Sequence, residues 1–121
     1  MDMTPYSFAH HRLDAYRVSV ELADRVQKLV ERFPRGYAGL ADQLRRSVEA
    51  TVALVAEGAN RYSPGQKRQR FTEARGECGE VAAHVERAWQ RGLVGEREAR
   101  AALERAARVC AMLTGLIRRC S

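Results

Sequence analysis

Three prolines, Pro5, Pro34 and Pro64, are the strongest helix breakers in the chain, and the stretches between and beyond them are long. Within those stretches apolar residues recur at spacings of three and four, the period of one buried helix face. Residues 11–33 place Leu13, Tyr16, Val20, Ala23, Val26, Val30 and Phe33 on such a face, and Pro34 and Gly36 end it. Residues 38–61 carry Leu40, Leu44, Val48, Thr51 and Val55, with Val52 and Leu54 beside the stripe. Residues 64–91 open on Ser63 as N-cap and Pro64 at the first helical position. Their stripe is Phe71, Ala74, Cys78, Val81, Val85 and Ala88, with Trp89 alongside and Gly92 or Gly95 as the stop. Residues 96–119 carry Ala99, Leu103, Ala106, Cys110, Leu113 and Ile117. Glu96 and Glu98 at the start of that segment, and Arg118 and Arg119 at its end, complement the helix dipole. No alternation of period two is long enough to predict a strand. Four long helices joined by short loops predict an all-α fold, an antiparallel up-down-up-down four-helix bundle, as one domain over residues 1–121.

A chain of 121 residues can bury one ordinary core without disulfides or metal. Its 45% hydrophobic and 30% charged content is that of a folded chain rather than a disordered one. The N-terminal stretch has no basic region followed by an apolar segment, so it does not read as a leader. No run approaches the roughly 18 apolar residues of a membrane helix. The expectation is a cytoplasmic protein with no membrane partner.

The usual signatures of catalysis are missing. There is no glycine-rich phosphate loop, no nucleophile elbow and no paired zinc-binding histidines. A di-iron bundle needs carboxylates from all four helices and two Glu-x-x-His motifs. Here Glu80 and His84 stand four apart in a single copy, and His10 and His11 are adjacent, so they cannot share a helix face. The expectation is a chain with no metal, no cofactor and no enzymatic activity. Cys78, Cys110 and Cys120 match no zinc or redox spacing, and the first two fall on apolar faces as small hydrophobes. Gly76 and Gly79 lie inside a predicted helix, where each costs roughly 1 kcal/mol against alanine. Close approach of a neighbouring helix is the expected reason for them.

Charge is more telling. The net charge is +6, and from Arg61 to Arg75 five cations face one acid, Glu73. Arg61, Lys67, Arg68, Arg70 and Arg75 are the candidate contacts for the phosphates of RNA or DNA. A basic first turn opposes the helix dipole, which favours a functional reason for it. Arg45 and Arg46 are further candidates; Arg118 and Arg119 are expected at the opposite end of the bundle. Just before the run, Glu57 and Gly58 read as a helix end, with Glu57 placed to pair with Arg61 four residues on and Gly58 loosening the last turn.

The order of short motifs adds a resemblance. Leu13-Asp14-Ala15-Tyr16 is followed by Phe33-Pro34-Arg35-Gly36 and by Gln43-Leu44-Arg45-Arg46-Ser47. Then come Ala56-Glu57-Gly58-Ala59-Asn60-Arg61, Ala74-Arg75-Gly76 with Glu80, and Met112-Leu113-Thr114. Over nearly its whole length the chain resembles the four-helix bundle family named after the intervening sequences of 23S ribosomal RNA genes, which includes the accessory variability proteins of diversity-generating retroelements. The resemblance implies a homopentamer with no catalytic activity. Its retroelement branch implies a basic, nucleic-acid-binding partner of a reverse transcriptase. Two positions depart from the family pattern. Leu54 stands where the family has Asn, and Glu77 where it has Ser after the glycine. The surplus apolar width of the second segment fits a ring of subunits, which needs a second buried face.

Overall fold

The computed structural model describes residues 7–120. The first six residues of the N-terminal stretch read against a leader, Pro5 among them, lie outside that range. A short 3-10 turn, Ala9–Arg12, leads into four helices: α1 (Asp14–Glu31), α2 (Ala38–Asn60), α3 (Pro64–Gln90) and α4 (Glu96–Arg119). α1 packs against α2 and α4, α3 packs against α2 and α4, and the diagonal pairs do not meet among the described residues. With short connections this is the antiparallel up-down-up-down bundle. No helix among the described residues is long and apolar enough to cross a membrane.

The helix ends follow local chemistry. α1 is shorter than its apolar period because Leu13 is extended and Arg32 and Phe33 turn back onto Leu29 and Val30. Gly36, at φ +98°, then makes a turn that a side chain would strain. α3 opens as the sequence predicts, with the Ser63 hydroxyl accepting from the Gln66 N–H at 3.2 Å and Pro64 at the first position. It closes on Gly92, at φ +74°. There the Leu93 N–H donates to Ala88 O and the Gly92 N–H to Trp89 O, a Schellman stop.

The core tests each apolar stripe. All six expected α3 residues, Phe71, Ala74, Cys78, Val81, Val85 and Ala88, are buried. On α2, Leu44, Val48, Thr51 and Val55 are buried, and Leu40 packs at the margin. α1 is rotated about its axis from the expected face. Ala15, Val18, Ser19, Leu22, Val26, Leu29 and Val30 are buried, while Leu13, Tyr16, Val20, Ala23 and Phe33 are only half-buried. α1 is apolar over a wide arc, and the bundle buries the side holding Leu22 and Leu29, each worth roughly 1.5–3 kcal/mol when fully buried. α4 shifts likewise: Ala102 and Val109 are buried in place of Leu103, Cys110 and Ile117, which are half-buried. Of the three buried polar residues among those described, Ser19, Ser47 and Thr51, two have hydroxyls that stay bonded within their own helices. Ser19 donates to Tyr16 O at 2.7 Å and Thr51 to Ser47 O at 2.8 Å.

The expectation for Gly76 and Gly79 is overturned. A Cβ at either position would meet nothing within 4 Å, and both are exposed, so neither accommodates a neighbouring helix of the subunit. The expected place of Arg118 and Arg119 is overturned too. α4 runs antiparallel to α3, so its C-terminus lies at the end of the bundle where α3 begins.

Candidate nucleic-acid interface

The candidate surface is the corner where α2 hands over to α3. α2 ends because Arg61 leaves helical conformation, at φ −73° and ψ 156°, while its N–H still donates to Glu57 O. Tyr62 follows, 98% exposed. The corner closes on Gly58, which is buried under the Phe71 ring of α3. A Cβ there would lie 2.5 Å from Phe71 Cε1, so only glycine lets the ring seat against the α2 backbone. Gly58 is therefore a packing position, not a loosened turn.

Two of the five basic candidates build this corner. Lys67 Nζ donates to Ala59 O at 2.8 Å and to Gly58 O at 3.4 Å, capping the carbonyl end of α2 with a positive charge. Arg70 Nη1 donates to both carboxylate oxygens of Glu73 at 2.9 Å, and Arg70 Nε lies 3.5 Å from Glu57 Oε2. Glu57 thus pairs across the corner with Arg70 rather than along its helix with Arg61, because Arg61 is no longer on the helix. Arg75 reaches α4, where its Nε donates to Thr114 Oγ1 at 2.9 Å.

Arg61 and Arg68 differ from these three. Both are exposed, and among the described residues neither side chain has a hydrogen-bond or ion-pair partner. The same end of the bundle gathers further cations. Arg12, Lys67 and Arg119 rim a cleft floored by Leu13, Phe71 and Leu116. Above α2, Asn60 Nδ2 donates to Ala56 O and to His10 Nδ1, each at 2.8 Å. A ring nitrogen that accepts is unprotonated, and burial, with His11 adjacent, holds His10 below the usual histidine range. The positive charge here comes from arginine and lysine.

The remaining motif residues are dispersed. Gln43, Arg45 and Arg46 are exposed on the first half of α2, with Arg45 3.3 Å from Asp42. Glu80 lies 3.5 Å from His84 on α3. Leu54 is half-buried against the core, which suits an apolar residue at that position. Sequence reasoning missed Phe71 as the partner of Gly58 and Lys67 as the cap of α2. A glycine near a helix end with an aromatic in the second turn of the next helix was the signal available.

No curated protein matches the chain. The family model described as 23S rRNA-intervening sequence protein matches residues 11–115, a span that holds every motif and all four helices up to the last turn of α4. The chain belongs to the 23S rRNA-intervening sequence protein family.

Proposed function

We propose that the protein is a non-enzymatic, cytoplasmic homo-oligomer, a pentamer, that binds RNA or DNA through the α2–α3 corner. The observation that carries this reading is the exposure of Arg61 and Arg68 without side-chain partners among the described residues, at the end of the bundle that also holds Arg12 and Arg119. Unpartnered guanidinium groups suit phosphate oxygens, and repetition around a ring multiplies a weak contact. Tyr62 beside them offers one ring for stacking on an unpaired base. Assembly is supported by Gly76 and Gly79. They weaken α3, and the space they leave is open for the backbone of another subunit. Val52, half-buried on α2, adds apolar surface.

The test is binding of single-stranded RNA and duplex DNA across a salt series. Affinity should fall steeply with salt, with a shallower slope for Arg61→Ala/Arg68→Ala. Binding indifferent to salt overturns the nucleic-acid reading, and light scattering that gives a monomer overturns the ring. A second reading is a scaffold for a protein partner such as a reverse transcriptase. It is favoured by the pairing of an exposed Tyr62 with Arg61, the residue types that dominate protein hot spots. A pull-down repeated after nuclease treatment separates the two.

A further inference from the structure

Cys78 and Cys110, 32 residues apart in sequence and without a motif spacing, meet across the seam between α3 and α4. Cys78 is fully buried, and its thiol donates to Ala106 O at 3.3 Å, one turn before Cys110 on α4. Cys110 is half-buried, and its Sγ lies 4.0 Å from Arg75 O, just under one turn before Cys78 on α3. Each thiol therefore reaches the backbone of the helix that carries the other. Ala74 on α3 and Ala102 and Ala106 on α4 are buried small residues on the same two helices. Cys120, the third free thiol, sits apart at the end of α4.

Their surroundings give the two sulfurs different chemistry. Interaction with the neighbouring Cys78 side chain lowers the Cys110 thiol to about 6, against the opposing effect of burial and with help from the Arg75 charge. The same interaction, together with burial, pushes Cys78 well above the usual thiol range. Cys110 is thus the more exposed and the more acidic of the two, the one that forms the nucleophilic thiolate more readily.

We propose that Cys110 and Cys78 form a peroxide-reactive dithiol, with Cys110 as the attacking and Cys78 as the resolving residue. The Cys110 thiolate attacks one oxygen of a hydroperoxide, forming an S–O bond as the O–O bond breaks. The other oxygen leaves as hydroxide or alkoxide and takes a proton from water, and Cys110 becomes a sulfenic acid. The Cys78 thiol then gives up its proton and attacks the Cys110 sulfur. The S–O bond breaks, and its hydroxide leaves with the Cys78 proton as water. Two thiols and one hydroperoxide thus yield one disulfide, one alcohol or water, and one water. The pair of sulfurs loses two electrons and the peroxide gains them. The disulfide would pin α3 to α4 beside Arg75.

The experiment adds hydrogen peroxide to the full chain carrying Cys120→Ser and follows it by intact mass, peptide mapping and dimedone trapping. The expected result is loss of both thiols, a linked 78–110 peptide, and mass loss of two hydrogens per chain. With Cys78→Ala added, Cys110 should instead accumulate as the dimedone adduct. Circular dichroism checks that this variant is folded, and the linked peptide in the Cys78 parent decides the matter if it is not. Disulfides only between chains, or two thiols that survive peroxide concentrations oxidising a small-molecule dithiol, overturn the proposal.

Discussion

The α2–α3 corner has an inner and an outer face, and both are basic. On the inner face Lys67 caps α2, and Arg70 is held by Glu57 and Glu73. On the outer face Arg61 and Arg68 have no side-chain partner among the described residues. Four cations within ten residues of chain thus do two different jobs. Count of charge along a sequence does not measure charge on offer to a partner. Pairing decides that, and pairing is a property of the fold.

The comparison breaks most readily at its base. Gly58→Ala drives a methyl group into Phe71 and should lower stability by about 1–2 kcal/mol, an overpacking cost reduced by the helix propensity of alanine. In a Phe71→Leu background the same change should be neutral or stabilising. A urea denaturation cycle that shows equal effects in both backgrounds would refute the contact. Lys67→Met keeps the stem and removes the charge from the α2 carbonyls, with an expected loss of about 1 kcal/mol in the same assay. Arg70→Ala should cost less than about 1 kcal/mol, since its ion pairs are partly solvated. Arg61→Ala and Arg68→Ala should leave stability within about 0.5 kcal/mol of the parent. In nucleic-acid binding the ranking should invert, with the outer pair losing most. If Lys67→Met weakens binding as much as Arg68→Ala without unfolding the corner, the two faces are not distinct.

Much of this was legible in the sequence. α3 carries a single apolar stripe, so its period had one solution and all six core residues follow from it. α1 has a wide apolar arc with two solutions. Leu13, Tyr16 and Val20 made one, Val18, Leu22 and Leu29 the other, and only packing against α2 and α4 selects between them. At the site, Ser63-Pro64 announced the start of α3, and the cation run announced a basic surface. Which cations were free could not be read there. Glu57 had two possible partners, and the end of the helix at Arg61 settled it for Arg70. Arg119 joins the corner only because α4 runs antiparallel to α3, a relation between elements far apart in the chain. The meeting of Cys78 and Cys110 was hidden for the same reason.

The seating of Phe71 on Gly58 has a kinetic consequence. Contacts that hold the corner are local: the Lys67 to Gly58 bond spans 9 residues, whereas the Arg32–Glu98 pair that ties α1 to α4 spans 66. Closing a short loop costs less entropy than closing a long one, and short-range contacts form sooner. The α2–α3 hairpin is therefore expected to form early, with Gly58 and Phe71 inside the folding nucleus. Substitutions there should slow folding, while those at the α1–α4 seam should chiefly speed unfolding. A chevron series at the two places would tell them apart.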